Sequence, residues 1–149
     1  MKEKILISAC LLGTNCKYNG GNNLKQELMP NLKALKEEFE LIALCPEELG
    51  GLSTPREPAE IVGKKVITKF SRTDVSEQFL MGAKICVNIA QQNGCKIAIL
   101  KERSPSCGVY QIYNGSFDKK LAVGQGLTTR RLSAAGVKIY SEDEICKVI

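Results

Sequence analysis

Ile97-Ala98-Ile99-Leu100-Lys101-Glu102-Arg103-Ser104-Pro105-Ser106-Cys107-Gly108 is the stretch on which the fold turns. Four apolar residues bounded at once by charge, serine and proline read as a short buried strand that leaves its sheet into a shaped turn carrying a thiol. The arrangement has two counterparts upstream. Ile5-Leu6-Ile7-Ser8-Ala9 runs into Cys10, and Leu41-Ile42-Ala43-Leu44 runs into Cys45. If the three runs are parallel strands of one sheet, their carboxyl ends share an edge, and that edge is where open α/β folds place ligands. Three thiols then converge on one small volume. Three such ligands hold an iron or zinc centre while leaving one coordination position open for chemistry.

The periodicity between these runs supports the parallel arrangement. Lys4 to Ala9 is expected as the first strand. Leu28, Leu32, Leu35 and Phe39 stand at helical spacing in a segment from Leu24 to Phe39, whose regular part should start near Pro30, where proline is tolerated. Glu40 to Leu44 reads as the second strand. The stretch after Cys45, Pro46 to Pro58, is rich in glycine and proline and reads as irregular. Ile61-Val62 and Lys65 to Phe70 form an expected hairpin. Asp74 and Glu77 suggest a capping box for a helix that presents Val75, Phe79, Ala83, Cys86 and Ala90 and stops at Gly94. Ile97 to Leu100 is the third strand, Thr128 to Ala135 a helix closed by Gly136, Val137 to Tyr140 a fourth strand, and Glu142 opens a short C-terminal helix. Strands alternating with helices imply an α/β class: a single three-layer domain over residues 1–149, with a mostly parallel sheet of about four to five strands.

Composition narrows the chemistry. The 149 residues are 44% hydrophobic and 25% charged, ordinary globular material. No run approaches the roughly 20 apolar residues of a membrane span, and the apolar run after Met1-Lys2-Glu3-Lys4 is too short for a secretory signal, so the expected location is cytoplasmic. Seven cysteines, an odd number at wide spacings, favour reduced thiols or metal ligation over a disulfide framework. The net charge of +5 would tolerate an anionic partner, but 5% aromatic content, no tryptophan and no basic stripe argue against nucleic acid. Histidine is absent. That excludes Ser-His and Cys-His nucleophile pairs, HExxH zinc sites and Cys₂His₂ fingers, so any general acid or base must be a carboxylate, lysine, tyrosine, thiol or hydroxyl.

Within these bounds Glu47, two residues after Cys45, is the candidate proton carrier. Ser104 and Ser106 surround Cys107, and Gly108 permits close backbone approach. The Cys10 segment ends in Gly20-Gly21, consistent with backbone folded around a ligand. Cys86 on a helix face, Cys95 before a strand and Cys146 near the terminus read as structural. No two cysteines have the Cys-x-x-Cys spacing of zinc ribbons, thioredoxins or ferredoxin loops. A distributed site of three thiolates suits a [4Fe–4S] cluster with one open iron. Zinc on three thiolates is the competing assignment, and spacing does not separate them.

Three blocks, Ile7-Ser8-Ala9-Cys10-Leu11-Leu12-Gly13, Cys45-Pro46-Glu47-Glu48-Leu49-Gly50-Gly51-Leu52-Ser53-Thr54-Pro55-Arg56 and Leu100-Lys101-Glu102-Arg103-Ser104-Pro105-Ser106-Cys107-Gly108, resemble the thiouracil desulfidase family in residue and in order. The resemblance spans nearly the whole chain. It implies a [4Fe–4S] enzyme that removes sulfur from thiouracil or a related thiolated pyrimidine, with Cys10, Cys45 and Cys107 as cluster ligands and Glu47 and Ser104 as catalytic residues. The partner so implied is a small molecule, handled by a monomer or small homo-oligomer. A cluster- or zinc-bearing sensor, and desulfuration of thiolated bases in RNA, are the alternative readings. The chain departs from the family pattern at Cys16-Lys17-Tyr18-Asn19-Gly20, where an apolar residue followed by basic-Tyr-Asp-Gly is expected. Cys16 is six residues from Cys10 and within reach of the same centre, and the missing carboxylate at Asn19 bears on substrate preference.

Overall fold

In the computed structural model, which describes residues 1–149, the three thiol-tipped runs lie together in one parallel sheet. In chain order the elements are β1 (Glu3–Ser8), α1 (Met29–Glu38), β2 (Phe39–Leu44), α2 (Pro46–Leu49), β3 (Ala59–Val62), β4 (Lys65–Thr68), α3 (Ser76–Asn93), β5 (Ile97–Leu100), β6 (Gln111–Tyr113), β7 (Leu121–Val123), α4 (Leu127–Ala134) and β8 (Lys138–Ser141), with a 3₁₀ segment Glu142–Lys147 at the end. The sheet order is β2-β1-β5-β8, and every pairing in it is parallel. β3-β4 and β6-β7 are separate antiparallel hairpins.

Alternation along the strands builds the layers. Leu6, Ala98 and Leu100 pack into a core with Cys86 and Ala90 of α3 and Leu132 of α4. Their neighbours Ile5, Ile7 and Ile99 point the other way, into a core with Leu32 and Leu35 of α1 and Ile145 of the final 3₁₀ segment. A sheet covered on both faces needs apolar residues at successive positions, which is why these strands read as continuous hydrophobic runs. A third cluster, Ile61, Val66, Val75, Phe79 and Ile112, ties both hairpins to α3.

Local differences from the sequence expectation have local causes. A four-residue helical turn, α2, forms inside the stretch expected to be irregular, because Pro46 occupies the first helical position, where its missing N–H costs nothing. The capping box expected at Asp74 and Glu77 does not form: Val75 precedes the first helical residue, and Asp74 instead accepts from the Ser76 amide at 2.9 Å. A capping box instead opens the C-terminal 3₁₀ segment, between Ser141 and Glu144. α3 ends where Gly94 adopts φ 65°, as expected. β6 and β7, three residues each, lie below the length at which alternation can be read.

Candidate metal centre and active site

From β1 the chain moves outward to β2 and then returns on the other side of β1 as β5, so the strand order reverses between β1 and β5. Such a switch point opens a crevice at the carboxyl ends of the strands. A cavity of about 460 Å³ occupies it, and its walls include Cys10, Cys45, Cys107, Glu47 and Ser104, the five residues singled out from the sequence. The Lys101 amide donates to Ser8 Oγ at 2.9 Å across the crevice floor.

Each thiol is delivered by a different device. Cys10 lies in a 3₁₀ turn, Ala9–Leu12, that leaves β1 and ends at Gly13 with φ 94°. Cys45 directly precedes α2, which is locked against α3 by two glycines facing each other's backbone. A Cβ on Gly82 would sit 1.9 Å from the Pro46 carbonyl oxygen, and one on Gly50 would sit 1.9 Å from that of Gln78. The Cys107 loop is strapped to the start of α4: the Leu127 amide donates to Pro105 O at 2.9 Å and the Thr128 amide to Ser106 O at 2.9 Å. A Cβ on Gly126 would lie 2.4 Å from the Ser106 carbonyl, so only glycine allows this approach. On the far side of the loop Glu102 Oε1 accepts from the amides of Val109 (2.7 Å), Tyr110 (2.9 Å) and Gln111 (3.1 Å).

The thiols differ electrostatically. Hydrogen bonding of the Cys16 thiol, which has one proton to share between the Cys10 and Cys45 sulfurs, pushes its own ionisation well up. The same bonds hold Cys10 below the ordinary thiol range and bring Cys45 down to about 7, against the opposing effect of burial. Cys107 is buried, and desolvation raises it despite hydrogen bonds with Ser8 and Ser106. A bound cation would reverse that preference, since a coordinated thiol is deprotonated outright. No disulfide forms among the seven cysteines. Cys86 and Cys95 lie in the core as expected, while Cys146 is exposed.

Glu47 is held at both oxygens. Arg56 Nε donates to Oε1 at 3.1 Å, and the Ser106 hydroxyl donates to Oε2 at 2.8 Å; Ser104 Oγ is 3.5 Å from the same Oε2. Ser104 and Ser106 are themselves bonded at 2.8 Å. A hydroxyl has one proton to give, so with that of Ser106 on the carboxylate, the proton between the serines comes from Ser104. The order is therefore Ser104 to Ser106 to Glu47. Ser104 Oγ also accepts from the Ser106 and Cys107 amides, both at 3.1 Å, which shapes the thiol's own loop.

Cys16, read from the sequence as within reach of the centre, lines the cavity, while two further participants, Arg56 and Ser106, were not among the ligand and catalytic residues expected from the sequence. Arg56 and Ser106 lie inside the quoted blocks, so the signal was position in a block, without which neither is distinguishable from a loop charge and a turn hydroxyl. Arg56 also binds the Cys16 carbonyl through Nη2 at 2.8 Å, joining the first and second blocks. Asn19 does not line the cavity; its side chain accepts from the Gly21 amide at 2.9 Å and closes its own turn.

Residues 5–144 match the model of a family described as 2-thiouracil desulfurase. An uncharacterized protein of Bacillus subtilis (strain 168), YbbK, is 39% identical over 155 residues, covering 97% of this chain and 99% of that protein. The solved structure of the [4Fe-4S]-dependent thiouracil desulfidase TudS superposes with a TM-score of 0.89 at 42% identity, covering 98% of this chain and 95% of that one. With its three thiols, carboxylate and two serines gathered at one sheet edge, the chain belongs to the 2-thiouracil desulfurase family.

Proposed function

We propose that this protein is a [4Fe–4S]-dependent desulfidase that converts thiouracil, or a closely related thiolated pyrimidine, to the oxo base and hydrogen sulfide. The observation that carries the reading is the placement of Cys10, Cys45, Cys107, Glu47 and Ser104, from three distant parts of the chain, on the walls of one cavity. The donor set fits the cluster. Its ligands are soft thiolates drawn from separate loops, three in number, which leaves one position of the cluster without a protein ligand. Cys10, Cys45 and Cys107 would hold the cluster. When bound, it supplies an iron without a protein ligand, a Lewis acid toward the thiocarbonyl sulfur.

The chain's own residues supply the rest. Glu47 takes a proton from the attacking water, its carboxylate oriented by the Arg56 guanidinium. Ser104 faces the cavity at the head of the hydroxyl chain; it hydrogen-bonds the pyrimidine, and the chain through Ser106 returns the proton taken up by Glu47 to the departing sulfur. The water oxygen bonds to the ring carbon, the carbon–sulfur bond breaks, and sulfur leaves with the two water protons as hydrogen sulfide. No net oxidation or reduction occurs. Residues 1–149 act as one unit, because the cavity needs all three blocks. No helix is long and apolar enough to cross a membrane, and seven unpaired cysteines suit the reducing cytoplasm.

The test is iron and acid-labile sulfide content, with the visible spectrum, of protein purified and reconstituted without oxygen, followed by thiouracil in the same tube. About four irons and four sulfides per chain are expected, with release of uracil and hydrosulfide. A full cluster without turnover would point to a sensor or a different thiolated base, and failure of protein first stripped of zinc to take up iron and sulfide would overturn the proposal.

A further inference from the structure

The cavity holds one thiol more than the cluster uses. Cys16 is 2% exposed, and its Sγ, that of Cys45 and a carboxylate oxygen of Glu48 all lie within 4.8 Å of one another. Sulfurs on a tetrahedral ion with bonds of about 2.3 Å stand roughly 3.8 Å apart, so the three groups need to close by less than about 1 Å. Glu48 is pre-oriented by a hydrogen bond from Thr54, the kind of support that fixes a ligating carboxylate. The positive charge of nearby Arg56 is engaged by Glu47. Cys107 stands apart from this group: its hydrogen-bond partners are Ser8 and Ser106.

We propose that the cluster-free chain binds a single thiophilic divalent ion of the zinc class through Cys16, Cys45 and Glu48, and that this ion and the cluster exclude each other because both need Cys45. Two thiolates and one carboxylate, with a water in the fourth position, match the donor preferences and tetrahedral geometry of zinc. The two arrangements share Cys45: the cluster requires Cys107 and leaves Cys16 unused, whereas the mononuclear ion requires Cys16 and leaves Cys107 unused. Cys16 thus guards Cys45 with an exchangeable ion until a cluster arrives.

Full-length protein stripped of metal under reductant and without oxygen would be titrated with cobalt(II), a coloured stand-in for zinc, and then with zinc. One cobalt per chain is expected, with thiolate-to-metal charge transfer and the ligand-field bands of a tetrahedral ion, both erased by one equivalent of zinc. Cys107→Ser should bind cobalt like the parent, while Cys16→Ser should bind more than about 10-fold more weakly with reduced charge-transfer intensity. Equal binding by Cys16→Ser and parent, or loss of binding in Cys107→Ser alone, would overturn the site, as would no tetrahedral cobalt in the parent. Zinc-loaded parent should resist iron uptake during cluster reconstitution, and Cys16→Ser should not. The cobalt result stands whether or not the chain forms an iron–sulfur cluster, so failure of that reading and failure of this one are told apart.

Discussion

Gly82→Ala should impair catalysis from a position outside the cavity. Gly82 lies on α3, and a Cβ there would approach the Pro46 carbonyl oxygen to 1.9 Å, whereas real Cβ atoms essentially never come under 3.0 Å; α2 must retreat by about 1.1 Å. Two energies oppose each other. Alanine in a helix interior is favoured over glycine by about 1 kcal/mol, and forcing an extra carbon into a packed interface costs about 1–3 kcal/mol. Net destabilisation is therefore about 0–2 kcal/mol, a change of a few degrees in Tm. The functional effect is larger. Pro46 stands between Cys45 and Glu47, so the retreat displaces a thiol ligand and the proton carrier together. A misplacement of about 1 Å costs on the order of 100-fold in rate. Urea unfolding, iron content after anaerobic reconstitution and thiouracil turnover would be compared with the parent and with Lys84→Ala, an exposed change on the same helix. The expected pattern is small loss of stability, lowered iron content and kcat reduced far more than stability. A Gly82→Ala protein with raised Tm, full iron and parental kcat would refute the claim that the interlocked glycines set the position of Cys45 and Glu47.

The remaining predictions separate the roles of neighbouring groups. Glu47→Gln should keep its iron and lose turnover, whereas Cys107→Ala should lose iron; full activity in the first or a parental cluster in the second would remove the assigned roles. Ser106→Ala deletes the 2.8 Å hydrogen bond to Glu47, and a bond to a charged acceptor is worth about 1.5–3 kcal/mol. A fall in kcat of roughly 10- to 100-fold at constant iron content is expected, and an unchanged kcat would show that the relay does not run through Ser106. At the far end of the chain, partial burial pushes Glu144 up, but hydrogen bonds from the Ser141 amide, the Tyr110 hydroxyl and Lys147 outweigh it and hold the carboxyl at about 2. Its contribution to stability is therefore complete above about 4.5 and is lost as pH falls toward about 2. Glu144→Gln should be less stable than the parent near neutral pH, with the gap closing through that window; a gap independent of pH in urea titrations would contradict the linkage.

How much of this was legible along the chain depends on the range of the interaction. β1, β5 and the end of α3 are written locally, since a run such as Ile97–Leu100 can be read without a partner and Gly94 ends a helix by its own backbone freedom. The thiols Cys10, Cys45 and Cys107 were legible for the same reason: each follows a strand, and parallel strands bring their ends together. The Asp74–Glu77 box misled because its pattern is local but its outcome is not. Ser76 Oγ is drawn to the Val66 amide of β4 at 2.8 Å, and Val75, packed among Ile61 and Phe79, takes the preceding position.

Residue types and their order thus suffice for the α/β class, the exclusion of histidine chemistry and the choice of candidate ligand and proton-carrying groups, because these follow from composition and from strand and turn preferences of a few neighbouring residues. Tertiary structure alone decided that Ser106, not Ser104, makes the short bond to Glu47, that Arg56 spans from Glu47 to Cys16, that Gly82 lets α2 approach α3, and that the Cys16 thiol lies beside that of Cys45. Those are distances between segments up to 59 residues apart. Hydrogen bonding and close packing act over a few ångströms in space, and no spacing along the chain encodes which distant groups will meet at that range.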